Sequence, residues 1–161
     1  MKMRKLGSQG LLVSEMGLGC MGMDHGYGKP VDRQAMTTLI HKAIELGCNL
    51  FDTAPIYGFE NEELLGNALK DHRENVVIAT KFGVLDMALV DGQPVPVLDS
   101  SPASIREQLD GSLQRLQTDY IDLFYQHRVD PKVEPEVVAQ TMKALIAEGK
   151  IKYWGISNAP A

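Results

Sequence analysis

The sequence predicts an α/β fold built on one parallel sheet. Three observations carry that prediction. Short apolar runs rich in β-branched residues alternate four times with longer segments of helical periodicity, and a fifth apolar run follows. The units recur at roughly the 30-residue length of one strand–helix pair, lengthened only between 83 and 100. Three consecutive strands end on ionisable side chains: Asp52, Lys81 and His127. A catalytic face at the carboxyl ends of parallel strands requires that arrangement.

Taken in order, the segment from Lys5 to Val13 reads as a small hairpin turning around Gly7 to Gly10. A first parallel strand is expected at Met16 to Gly19. The loop from Cys20 to Pro30 is rich in glycine and lacks helical spacing. Asp32 is a good N-cap. Behind it Met36, Leu39, Ile40, Ala43, Ile44 and Leu46 follow helical spacing, and Gly47 closes the helix. The second strand runs to Asp52, and Thr53 to Gly58 is a loop carrying Pro55 and Tyr57. Asn61 is expected to cap a second helix whose buried face is Leu64, Leu65, Ala68 and Leu69. Val76 to Thr80 is the third strand and delivers Lys81.

From Gly83 to Ser100 the pattern lapses. Asp91-Gly92 is a turn signal and Pro94 and Pro96 exclude helix, which predicts an inserted loop or hairpin. Ser101-Pro102 caps a third helix with the stripe Ile105, Leu109, Leu113 and Leu116. Ile121 to Tyr125 is the fourth strand, leading to His127. Glu134-Pro135 opens a fourth helix with Val138, Met142 and Leu145 inward and Gly149 at its end. Ile151 to Ser157 is the fifth strand. No linker or low-complexity tract divides the chain, so residues 1–161 read as part of one domain.

At 161 residues, 44% hydrophobic and 23% charged, the chain is able to bury a core. Its formal charge of −5 and the absence of a basic stripe argue against nucleic acid and anionic membrane as partners. The basic N-terminus leads into no apolar run of signal-peptide length, and no stretch is long enough to span a bilayer. Cys20 and Cys48 form neither a disulfide framework nor a zinc spacing, which fits a reducing cytoplasm. His25, His41 and His72 have no metal-ligand spacing.

Gly17-Leu18-Gly19-Cys20-Met21-Gly22 matches the G-x-G-x-x-G pattern literally. A dinucleotide fingerprint needs a helix N-terminus directly behind the glycines to hold the pyrophosphate. Here the helix begins about ten residues too late, so a loop at the strand's end is the better reading. Asp52, Tyr57, Lys81 and His127 each have an ordinary structural reading in isolation. Together, at neighbouring strand ends, they are able to converge as a proton-donating set. A free phenol titrates near ~10, too high for easy donation at neutral pH. A neighbouring ammonium favours the phenolate, a carboxylate keeps that ammonium charged and oriented, and an imidazole is able to hydrogen-bond a polarised carbonyl.

On these motifs the chain resembles the aldo-keto reductase family. Asn49 to Gly58, with Asp52 and Tyr57, is similar to the family's first motif, and Ala79-Thr80-Lys81-Phe82-Gly83 to its lysine motif. Leu116 to Arg128 resembles the strand leading to the histidine, and Gly149 to Asn158 the fifth strand. The resemblance runs from about Arg4 to Asn158 with the motifs in the family's order, and Gln126 to Pro131 is more similar to the bacterial, plant and fungal general aldehyde reductases. It implies a (β/α)8 TIM-type barrel, of which this chain carries five strands, four helices and the N-terminal hairpin. It also implies NADPH-dependent reduction of a small-molecule carbonyl. Tyr57 would then be the general acid, Lys81 and Asp52 would tune it, and His127 would orient the carbonyl. Ser157 and Asn158 match the pair that holds the nicotinamide carboxamide, while Asp52, Cys20 and Met21 lie where the cofactor and substrate approach.

Family barrels run to ~250 residues or more, so this chain reads as an N-terminal half. The strands and loops expected to clamp the cofactor phosphates lie outside it. Two expectations follow: a complementing C-terminal half, or another copy of the chain, at the open sheet edges; and, as a different class of function, a non-catalytic half acting as a folding or partner-binding module.

Overall fold

The computed structural model describes residues 1–23 and 32–159. The loop expectations for residues 24–31, including His25, lie outside the described residues. Strands are β1 (Met3–Leu6), β2 (Leu11–Ser14), β3 (Leu18–Gly19), β4 (Leu50–Asp52), β5 (Val77–Phe82), β6 (Val84–Val90), β7 (Gln93–Leu98), β8 (Ile121–Gln126) and β9 (Ile151–Ile156). Helices are α1 (Arg33–Glu45), α2 (Phe59–Leu69), α3 (Pro102–Leu116) and α4 (Pro135–Ala147).

Five strands form one wholly parallel sheet in the order β3-β4-β5-β8-β9. Each parallel strand lies beside the next in sequence, and the order never reverses. One face, with Phe51, Ile78, Phe82 and Phe124, is buried against helix residues such as Leu65, Leu109 and Met142. The opposite face carries a separate cluster, Val77, Ala79 and Leu123, packed against Leu11 and Val13 of the hairpin β1–β2. Helices cover one face only, so this is an arc of a barrel rather than a doubly wound sheet. Period-2 alternation assigns the faces: along β5, Ile78, Thr80 and Phe82 go to the helices, whereas Val77, Ala79 and Lys81 go to the inside.

The hairpin closes the amino end of the arc. Asn49, at the start of β4, accepts from Ser14 N through Oδ1 at 2.6 Å and donates from Nδ2 to Leu12 O. Its own amide donates to Ser14 Oγ. The carboxyl ends of the strands therefore remain for chemistry.

Several expectations change in detail. The first parallel strand starts at Leu18 rather than Met16. Met16 O accepts from Ser14 Oγ at 2.7 Å and from Cys48 Sγ at 3.5 Å, so side chains rather than a neighbouring strand use it. Asn61 is not the cap of α2. The helix begins at Phe59 behind Gly58, whose φ of +107° suits glycine, and Asn61 lies buried inside its first turn. Leu39 and Leu46 are exposed, because the buried stripe of α1 is centred on Ile40 and continues through Met36, Ala43 and Ile44. The 83–100 segment is an antiparallel hairpin, β6–β7, turning at Asp91 and Gly92 with φ of 50° and 74°. Asp32 does cap α1, accepting from the amides of Gln34 and Ala35. Gly66 lets α2 and α3 touch: a Cβ there would sit 2.7 Å from the backbone of Leu116.

Candidate active site

Asp52 ends β4 because the chain must turn immediately behind it. Thr53 N still donates to Ala79 O at 2.9 Å, the last rung of the ladder. Pro55 then opens a one-turn 3-10 helix, Pro55–Tyr57, where its missing N–H costs nothing. Gly58 redirects the chain into α2. This tight reversal holds Tyr57 over the strand ends instead of letting it leave with the loop.

Lys81 is buried, with 7% of its surface exposed, and faces the inside of the arc. Its Nζ donates to Asp52 Oδ1 at 2.6 Å, to Thr53 O at 2.8 Å and to Tyr57 Oη at 3.2 Å. All three ammonium donors have acceptors, which makes burial of the charge tolerable. His127 follows β8 and continues the ladder, its amide donating to Phe82 O at 2.9 Å. The Tyr57 and His127 rings meet edge to face at 6.0 Å between centroids. The sequence-identified set of Asp52, Tyr57, Lys81 and His127 is thus one cluster, assembled from the neighbouring strands β4, β5 and β8.

Burial pushes the His127 imidazole down to about 4, helped by the positive charges of Lys81 and Arg128. It is therefore neutral throughout the physiological range. Burial, then the Asp52 charge, raises the Tyr125 phenol above its ordinary value. Tyr125 lies opposite Lys81 in the β5–β8 register and stays protonated. It was not singled out from sequence, where it is one aromatic within an apolar strand.

The Cys20 thiol is 1% exposed, and its pKa is pushed up to about 12 by burial first and the Asp52 charge second. It packs in the core beside Met23, Ile40 and Phe51. Met21 is half-buried in a one-turn helix behind β3. Ser157 and Asn158 leave the carboxyl end of β9, the same end as the cluster. Ser157 N donates to Gln126 O at 2.9 Å, and Asn158 is exposed in the left-handed region at φ 54°.

A hollow of about 550 Å³ lies between β6, α2 and α3, lined by residues that include Phe59, Leu85, Gln108 and Arg115. None of the four clustered residues lines it. Among the described residues no group of three or more His, Cys, Asp or Glu is placed to hold a metal. Among the described residues no helix is long and apolar enough to cross a membrane.

Three contributions are not legible in the sequence. Thr53 supplies its backbone carbonyl to Lys81, which no side-chain pattern reveals. Asn61 and Glu62 are buried at 1% and 0% exposure, although Glu62 reads in sequence as an ordinary acidic residue of a helix first turn.

The Aldo/keto reductase family profile matches residues 15–161. A Glycine max protein named "Probable aldo-keto reductase 1" is 44% identical over 157 residues, covering 96% of this chain and 44% of that protein. The holo form of aldo-keto reductase AKR11C1 from Bacillus halodurans superposes with a TM-score of 0.84 at 37% identity, over 98% of this chain and 50% of that one. Glycerol dehydrogenase AKR11B4 from Gluconobacter oxydans gives a TM-score of 0.80 at 34% identity, over 98% and 48%. The chain spans about half the length of these relatives. A parallel barrel arc with Asp52, Lys81, Tyr57 and His127 gathered at its carboxyl end, matched by that profile over nearly its whole length, belongs to the aldo-keto reductase family.

Proposed function

We propose that this half-barrel carries the proton-donating machinery of an NADPH-dependent reductase of aldehydes or ketones. The carrying observation is the contact of Lys81 Nζ with both Asp52 Oδ1 and Tyr57 Oη. Accepting from Lys81 uses a lone pair of the phenol rather than its proton. The ammonium stabilises the oxygen as the proton departs, and Asp52 and Thr53 O hold the ammonium in place. A neutral His127 is a poor proton source, so it is assigned to orienting: a ring N–H hydrogen-bonds the substrate oxygen while Tyr57 protonates it.

The nicotinamide supplies the hydride when bound. Polar groups at the end of β9 suit it chemically, since the Ser157 hydroxyl and Asn158 amide match the donors and acceptors of a carboxamide. Asp52, 37% exposed at its side chain, borders the same end. The dinucleotide phosphates need donors from elsewhere, which a complete barrel would provide. Both Cys20 and Cys48 are free and buried, consistent with work in a reducing cytoplasm.

In a complete barrel carrying this half, Tyr57→Phe should lower carbonyl turnover by ~10²-fold or more while cofactor affinity stays near the parent value. Parent-like turnover by that folded variant would sink the assignment.

A second reading, that of a partner-binding half, is favoured by the sheet's two ends. Among the described residues β3 and β9 each have a single neighbour, and Ile156 on β9 is exposed. Unpaired strand edges recruit another chain. We assign the β9 edge to a complementing set of strands, with self-association of this chain as the fallback. Light scattering of the 161-residue protein should show oligomers or aggregates, and a monodisperse, cooperatively unfolding monomer would refute this.

A further inference from the structure

The alternation of β4 and β5 puts a threonine beside each member of the Asp52–Lys81 pair. Thr53 follows Asp52 and Thr80 precedes Lys81, and both are fully buried. Their hydroxyls leave the site and meet consecutive residues of α2. Thr53 Oγ1 donates to Asn61 Oδ1 at 2.7 Å, and Thr80 Oγ1 donates to Glu62 Oε1 at 2.7 Å. Asn61 Nδ2 donates in turn to Cys20 O at 2.9 Å, tying in the end of β3. Arg115 of α3 donates to the other oxygen of Glu62 at 2.7 Å.

Apolar side chains would fill these buried positions at no polar cost. Burying an amide and a carboxylate is tolerable only because each is bonded. The bonds have direction, whereas apolar packing does not, so their effect is to fix where the strand ends sit. Thr53 links the two systems directly: its hydroxyl is held by Asn61 and its carbonyl receives Lys81 Nζ at 2.8 Å. Tyr57 is set by the same turn, since α2 starts two residues behind it.

We propose that Asn61 and Glu62 are positioning residues for the Asp52–Lys81–Tyr57 constellation, acting through Thr53 and Thr80. This rests on the reductase reading. Proton transfer depends steeply on placement, so loosening a strand end slows turnover without weakening substrate binding.

The test replaces Thr53 and Thr80 singly by Val, which removes the hydroxyl, and by Ser, which keeps it, in a complete barrel carrying this half. Each Val variant should lose about 10-fold in kcat with carbonyl KM within about twofold, and each Ser variant should stay within about twofold of the parent. The ¹⁵Nζ chemical shift of labelled Lys81 at neutral pH should move in the Val variants and not in the Ser variants. Circular dichroism checks folding, and a Val variant that fails to fold is replaced by the Ala variant at the same position, which also removes the hydroxyl and should show the same losses. Folded Val variants with parent kcat and the parent Lys81 chemical shift would overturn the proposal, as would Ser variants falling as far as Val. A parent barrel that reduces no carbonyl would instead count against the reductase reading, and the Lys81 chemical shift would still decide the positioning of the cluster.

Discussion

Lys81 Nζ sits 2.6 Å from Asp52 Oδ1, although the two residues are 29 positions apart and belong to different strands. The pair is unequal. Lys81 is nearly enclosed, with 8% of its side chain exposed, whereas Asp52 keeps 37%. Stranding each partner therefore has a different consequence.

Asp52→Asn leaves a buried ammonium without its counter-ion, which costs several kcal/mol, about 3, when a charge is left uncompensated. Lys81→Met leaves a carboxylate that water is able to reach, and should cost about 1 kcal/mol or less. Urea denaturation of both variants checks this order. Equal losses would mean the pair is solvated alike at both ends.

Stability should fall with acid through the His127 window. The folded imidazole has its pKa depressed to about 4 from an ordinary 6.5. Between those values the unfolded chain binds a proton that the folded chain does not, so stability is present above about pH 6.5 and is lost as pH falls toward 4. His127→Gln should flatten that part of the curve. Thermal melts from pH 7 to pH 4 measure it, and an unchanged slope in the variant would place the acid sensitivity elsewhere.

Arg115→Met removes the counter-ion of Glu62, which is wholly buried and bonded to Arg115 Nε at 2.7 Å. Among the described residues the carboxylate then keeps its bond from Thr80 Oγ1. The expected loss is ~3 kcal/mol, with part recovered by also changing Glu62 to Gln. Denaturation of the single and double variants measures the coupling, and additive losses would contradict it.

Gly66→Ala should destabilise by about 1–3 kcal/mol, against the usual helix preference for alanine. The added methyl meets Leu116 backbone at 2.7 Å, and backbone in a helix end cannot swing aside as a long side chain would. A melting temperature equal to or above that of the parent would show that α2 and α3 separate freely.

The sequence alone determined the strand–helix alternation, the faces of α2, α3 and α4, the cap at Asp32 and the delivery of Asp52, Lys81 and His127 by successive strands. These are local properties: hydrophobic period, cap chemistry and turn residues act over a few positions, so they are legible in a single chain. Tyr57 joined them in the sequence through the loop directly behind Asp52, and the family resemblance then gave the set its roles. Tertiary structure decided what depends on non-local contact. It shortened the first parallel strand because Ser14 and Cys48 reach Met16 O. It placed helices on one face only, making a barrel arc, and it moved Asn61 from an expected cap to a buried strand anchor. It made the Thr53 carbonyl an acceptor for Lys81 and set the His127 imidazole neutral. Burial and hydrogen-bond partners come from residues tens of positions away, and the physics that fixes them acts through space once the strands are side by side.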